Sequence, residues 1–396
     1  MIFPEERISS IFVVIPVQVF IAVIFLFSLL YGIGELIIFS LLLLFMGMLA
    51  FIWGRESIKG IRCIIKPDRT RIFPEEESRL TVHAINSRLL PLLLTIYLSI
   101  HDTSSDTGGQ EILSERCGLL WFQKSSFDLK FQPGKRGVFN VGPLHLSVGD
   151  IFGFNKKEKE EHLGIEIIVY PRLVKTRPIP IPKREFFGIP GSRSPVKDPA
   201  YFLGTRDYQP GQPSRNIHWK SSARYSRIQE KLFEPSVREK VLIILDVDRF
   251  AEKRETELFE STIETIASQA VHLAGEGNAV GFVSNCLIGK SVPCVVRVSS
   301  NRNQISKILE CLARVRMEPD GSIMDILSKT IFLPYGLACL YFSYEIDART
   351  SEAKEFLRSH NTPANYIFSR GGTDHDKNFI AGNKVILGDI LRENGS

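Results

Sequence analysis

Val241-Leu242-Ile243-Ile244-Leu245-Asp246 is an unbroken apolar run that stops at a carboxylate. It lacks the in-out alternation of a half-exposed strand and reads as a strand covered on both faces, the pattern of a parallel sheet. Helical spacing follows. Phe259, Ile263, Ile266, Ala270 and Leu273 recur on one face between about Thr256 and Ala274, and Gly275 and Gly277 supply the stop. Further strands are expected at Ala279–Ser284, Val295–Val298, Leu337–Tyr344 and Ala364–Phe368, with helices near Asn303–Val315 and Ser351–Arg358. This alternation predicts a three-layer α/β sheet over the C-terminal part of the chain.

Open α/β sheets bind their ligands beyond the carboxyl ends of the strands, and Asp246 and Asp248 stand just past the first of them. Two carboxylates so spaced suit a hard divalent cation such as Mg2+, alone or with waters. The plainer expectation is that one of them caps the next helix or pairs with Arg249 or Lys253.

Immediately upstream lies the densest polar stretch, Gly204 to Arg224. Arg206, Arg215, Lys220, Arg224 and Arg227 could hold phosphate or an acidic partner, arginine being suited to bidentate contacts. Equally, Asp207, Glu230 and Glu234 could neutralise these cations while Tyr208, Ile217 and Trp219 pack beneath the sheet. His218 has no cysteine or second histidine nearby, and Ser221 and Ser222 lack a nucleophile-elbow setting.

Between Ile61 and about Arg184 the apolar period shortens to two, as in Leu80-Val82-Ala84, Phe127-Leu129-Phe131, Val138-Phe139-Val141 and Ile165-Ile167-Val169. Turn-rich pieces at Asp106–Gly109, Gln132-Pro133-Gly134 and Gly142-Pro143 break these runs, which predicts an antiparallel β-sandwich. The segment carries no catalytic constellation. The six cysteines form no CxxC pair and no zinc-spaced cluster, which argues against a disulfide scaffold and fits a reducing compartment.

Two uncharged runs open the chain, Ile11–Tyr31 and Leu36–Trp53, joined by Gly32-Ile33-Gly34-Glu35. Their lengths predict a hairpin of two transmembrane helices rather than a cleaved signal peptide. Arg55, Lys59, Arg62, Lys66, Arg69 and Arg71 after the second run place both ends in the cytoplasm by the positive-inside rule and could touch anionic lipid. The expected organisation is thus a transmembrane hairpin over 1–60, a β-sandwich over 61–185 and an α/β domain over 186–396. The net charge of +5 on 49 basic and 44 acidic residues, interspersed along the chain, gives no reason to expect nucleic-acid binding.

The polar stretch resembles the hallmark of the DUF58 family, through Arg206, Tyr208, Pro210, Gly211, Arg215, Ile217, Trp219, Lys220, Ser222, Ala223 and Arg224. Gly149-Asp150-Ile151-Phe152-Gly153-Phe154 and Val169-Tyr170-Pro171-Arg172 resemble two further family elements. The resemblance implies a von Willebrand factor A-like (Rossmann-like) domain at the C-terminus, and the company of MoxR-type AAA+ ATPases and transglutaminase-like membrane proteins. In that domain type the metal signature is Asp-x-Ser-x-Ser, whereas this chain has Asp246-Val247-Asp248-Arg249-Phe250, without either serine, and Gln212 where the family usually has Asp. A degraded metal site at Asp246 and Asp248 is therefore expected, with Arg206, Tyr208, Gly211, Arg215, Trp219, Lys220 and Arg224 as the contact surface. The leading functional expectation is a multi-pass inner-membrane scaffold protein whose soluble part meets cytoplasmic partners. The alternative is a metal- or phosphate-dependent hydrolase using Asp246 and Asp248.

Overall fold

The computed structural model describes residues 11–57, 60–89, 91–103, 109–149, 156–182, 202–209, 214–233, 239–288, 292–330, 337–370 and 384–391. By its internal contacts the chain divides into two compact units, Met1–Arg172 with Leu312–Arg314, and Leu173–Cys311 with Val315–Ser396.

The first unit begins with helices α1 (Ile11–Tyr31) and α2 (Gly34–Ser57). They meet closely where Gly47 faces Gln18, since a Cβ at Gly47 would lie 2.5 Å from the Gln18 amide nitrogen. Ser28 and Ser40 are buried and return their hydroxyls to the helix carbonyls of Phe25 and Leu36. Large apolar side chains such as Phe20, Leu30, Ile38 and Phe45 are exposed. The expected transmembrane hairpin is corrected here: among the described residues no helix is long and apolar enough to cross a membrane.

Nine strands follow: β1 (Ile61–Pro67), β2 (Arg71–Ile72), β3 (Ser78–Asn86), β4 (Leu92–Asp102), β5 (Gln110–Leu119), β6 (Lys124–Phe131), β7 (Gly137–Gly149), β8 (Lys156–Glu161) and β9 (Ile165–Val169). One sheet has the order β1-β3-β6 and the other β2-β9-β7-β4-β5, with β8 paired to β7. All pairs are antiparallel except β2 with β9. Both sheets turn alternate apolar residues into one core, Leu80, Val82 and Leu129 from the first and Leu94, Ile96, Leu146 and Ile167 from the second. Gly142-Pro143, expected as a turn, lies inside β7, near the point where the ladder to β4 shifts register. The backbone there has φ +123, which glycine adopts without strain.

The second unit contains a two-stranded hairpin and a six-stranded sheet. β10 (Phe202–Asp207) and β11 (Gln229–Phe233) pair antiparallel, and a 3-10 turn (Ser214–Asn216) and helix α3 (Trp219–Tyr225) lie between them in sequence. The large sheet uses β12 (Lys240–Leu245), β13 (Ala279–Ile288), β14 (Val292–Ser299), β15 (Leu337–Ser343), β16 (Ala364–Phe368) and β17 (Lys384–Ile386), in the order β14-β13-β12-β15-β16-β17. Counted along this sheet the order is third, second, first, fourth, fifth, sixth, the order of doubly wound sheets. The edge strand β14 alone runs antiparallel to its neighbour. Helices α4 (Asp248–Lys253), α5 (Thr256–Gly275), α6 (Gln304–Arg314), α7 (Ile323–Thr330), α8 (Ala348–Ser359) and α9 (Leu387–Leu391) connect or follow the strands.

Every residue of β15 and β16 is buried, and β12 is buried after Lys240, as unalternating strands require. One face of the sheet, with Leu242, Ile244, Cys339 and Tyr341, shares a core with Ile323 and Leu327 of α7 and Ala353 and Leu357 of α8. Helix α5 buries Phe259, Ile263, Ile266, Ala270 and Leu273, the face its spacing marks out.

Candidate functional site: the strand ends and the polar hairpin

The order of the large sheet reverses between β12 and β15, and a crevice at such a reversal is where doubly wound sheets bind ligands. Asp246 directly follows β12 and Asp248 opens α4, so the two carboxylates stand at that point. Asp246 is 1% exposed. Its Oδ2 accepts a hydrogen bond from the Tyr341 hydroxyl of β15 at 2.8 Å, and its Oδ1 accepts the Asp248 backbone N–H at 3.2 Å. Asp248 Oδ1 accepts from Asn285 Nδ2 at 2.7 Å, while Asn285 Oδ1 takes the Val247 N–H at 2.9 Å. Asn285 thereby fixes both the loop and the second carboxylate.

The other Asp248 oxygen meets a cation. Arg349, from the first turn of α8, places Nη1 3.1 Å from Asp248 Oδ2 and Nη2 3.2 Å from Glu252 Oε1. Arg249 pairs at 2.9 Å with Asp347 and at 2.7 Å with Glu252. Asp347 also caps α8, its Oδ1 accepting from the Thr350 N–H and hydroxyl, each at 2.8 Å. Burial raises the Asp246 carboxyl to about 6, helped by the charges of Asp248 and Asp347 and opposed by the Tyr341 hydrogen bond. Burial raises Asp248 as well, against the pull of Arg349 and Asn285.

This donor set does not fit a hard divalent cation. All four oxygens of Asp246 and Asp248 already have a partner, and one of those partners is a guanidinium. Among the described residues no group of three or more His, Cys, Asp or Glu is arranged to hold a metal ion. Sequence reasoning found Asp246 and Asp248 but paired them with the wrong cation: Arg249 turns to Asp347 and Glu252, and Arg349 comes from another helix. Asp347 was within reach of a sequence reading, since Asp347-Ala348-Arg349-Thr350 has the polar start of a capped helix.

In the polar hairpin, Arg206 faces Glu230 across β10 and β11, and its Nε donates to Glu230 Oε1. The Glu230 carboxylate is buried, and its Oε2 has no hydrogen-bond partner. Asp207 accepts from the Gln229 amide and stands 3.7 Å from the Arg227 guanidinium. Tyr208 donates its backbone N–H to the Ile228 carbonyl at 2.8 Å. His218 caps α3, its Nδ1 accepting the Ser221 N–H at 3.0 Å. The Ser222 hydroxyl accepts the Gln229 N–H at 2.8 Å, tying α3 to β11. The histidine and serine of this stretch thus have structural work. Gly211 and the Asp150–Phe154 element lie outside the described residues, and Arg215 is described only as part of the 3-10 turn.

Of the two readings of this stretch, the one that packs Trp219 beneath the sheet is not found. Helix α3 buries none of its residues, Trp219 is 72% exposed, Tyr225 61% and Ile228 53%. Lys220, Arg224 and Arg227 are exposed beside them. The hairpin therefore combines a neutralised inner pair, Arg206 with Glu230, and an outer surface that is aromatic and cationic.

Bacillus subtilis YeaD, an uncharacterised protein, is 30% identical over 258 residues, 62% of this chain and 60% of its own length. The chain thus spans about three fifths of the curated relative it matches. Among solved structures, the B. subtilis sporulation control protein Spo0M shares 15% identity over 28% of this chain and 49% of its own, with a TM-score of 0.19. The ASH/PapD-like domain of human CEP192 shares 11% identity over 26% of this chain and 80% of its own, with a TM-score of 0.20. Likenesses this low carry no argument. Residues 204–331, which contain the polar hairpin, both strand-end carboxylates and Asn285, match the family described as "Protein of unknown function DUF58".

Proposed function

We propose that the chain is an interaction protein, and that α3 with the turn after it is its contact surface for an acidic segment of a protein partner. The observation behind this reading is the outward placement of Trp219 and Tyr225 on a helix that buries none of its residues, with Ile228 exposed in the turn after it. Exposed aromatics beside arginine are the composition enriched at protein contacts. Lys220, Arg224 and Arg227 give the surface its sign, which selects an acidic partner and speeds encounter. The strand order of the large sheet, its antiparallel edge strand and the acidic pair after β12 support reading residues 239–391 as a von Willebrand factor A-like domain. The family resemblance supplies a MoxR-type AAA+ ATPase as the partner class. The hydrolase alternative gains nothing from the strand ends, whose carboxylate oxygens are all engaged.

The test is quantitative affinity capture of the full chain, comparing wild type with Trp219→Ala and with Lys220→Glu/Arg224→Glu. A partner anchored here is expected to fall at least about tenfold in recovery with either variant, since truncating an aromatic anchor typically costs 2 kcal/mol or more. An unchanged set of captured proteins in unchanged amounts would overturn the reading.

A further inference from the structure

We infer that Arg349 is a tethered cation, built into the fold at the place where carboxylates of a doubly wound sheet would otherwise gather a divalent ion. This does not depend on the α3 surface.

Four carboxylates converge beyond β12: Asp246, Asp248, Glu252 and Asp347. Asp246 is satisfied by neutral donors, Tyr341 and the Asp248 N–H. Asp347 is satisfied by Thr350 and Arg249. Asp248 Oδ2 and Glu252 Oε1, the oxygens not held by Asn285 and Arg249, share the Arg349 guanidinium at 3.1 and 3.2 Å. The Arg349 Nη1 is buried, yet its geometry toward Asp248 satisfies no hydrogen bond, so charge holds it there. A cation bridging two carboxylate oxygens one turn apart on the same helix is the role a metal ion plays, and a guanidinium performs it without an exchangeable ligand. Asp248 is 9% exposed, so the charge it carries requires a partner.

The consequence is a strand-end centre that works without divalent cations, and a latent ion site uncovered when the guanidinium is removed. The two freed oxygens, Asp248 Oδ2 and Glu252 Oε1, with waters are enough for a small hard cation. The experiment is thermal unfolding of the full chain with and without saturating Mn2+, for wild type, Arg349→Ala and Arg349→Lys. Wild type and Arg349→Lys are expected to show no Mn2+-dependent shift. Arg349→Ala is expected to melt lower without metal and to gain at least about 3 °C with Mn2+, as a ligand bound only by the folded state requires. Should Arg349→Ala fail to fold in metal-free buffer, Asp248→Asn/Arg349→Ala is expected to fold, because the uncompensated carboxylate is gone, and to ignore Mn2+. A wild-type chain that Mn2+ already stabilises, an Arg349→Ala chain that folds and ignores Mn2+, or a double variant that stays unfolded would each overturn the inference.

Discussion

Asp246 shows how burial and charge act on one side chain. Its folded carboxyl titrates near 6 because burial disfavours the anion, whereas an exposed aspartate loses its proton near 3.8. Between those values the folded chain holds a proton that the unfolded chain has released, so stability falls as pH rises from about 4 to about 6 and then levels. The full difference amounts to roughly 3 kcal/mol, at about 1.4 kcal/mol per pKa unit. Asp246→Asn removes the titration while its amide can still accept the Asp248 N–H and donate to the Tyr341 oxygen. The melting temperature of Asp246→Asn minus that of wild type is therefore expected to grow more positive from pH 4 to pH 7, by several degrees. A difference that stays constant with pH would mean that Asp246 is ionised throughout. The two aspartates were legible in the sequence as a strand end, but Tyr341 and Arg349 were not. Tyr341 is 95 residues from Asp246 in sequence, and only the pairing of β15 beside β12 brings it there.

At the scale of elements, long and strongly patterned segments were readable. The run at 241–245 is β12, and the predicted strands near 337–344 and 364–368 are β15 and β16 within one residue. Shorter pieces with weaker patterns, α4, α7, β17 and α9, were passed over. So was β4, whose Leu92-Leu93-Leu94 start blurs the alternation by which a strand is recognised. Gly281 in β13 had no signal in the sequence and has a strict role in the structure. A Cβ there would stand 2.7 Å from Val298 Cγ2, 2.8 Å from Val298 N and 2.9 Å from Val296 O, where β13 meets β14 across a register shift. Two of those three atoms are backbone and cannot swing aside. Gly281→Ala is expected to destabilise by about 1–3 kcal/mol, in the range of overpacked sites, read as a lower urea midpoint. Gly275→Ala near the end of α5, where a Cβ meets nothing within 4 Å, is expected to be neutral or slightly stabilising. Equal effects at the two glycines would show that the β13–β14 approach is looser than described.

For the molecule as a whole, hydrophobicity alone did not say what the first two helices do. Two uncharged runs predict membrane spans by length, yet no described helix is long and apolar enough to cross. The sheets are a different matter, because their cores close within short reaches of sequence. The core of the first unit is drawn from Ile61 to Val169, and that of the large sheet from Leu242 to Phe368. A core of its own is what allows a piece of chain to fold alone. Residues 173–396 expressed by themselves are accordingly expected to melt cooperatively and to keep the Asp246→Asn pH response of the full chain. Heating of the full chain is then expected to depart from a single two-state transition. If the piece instead binds a hydrophobic dye strongly and melts without cooperativity, its core is incomplete without the residues that precede it. The retained pH response separates these cases sharply, because the Asp246 shift exists only when β12, β13 and β15 are assembled around it.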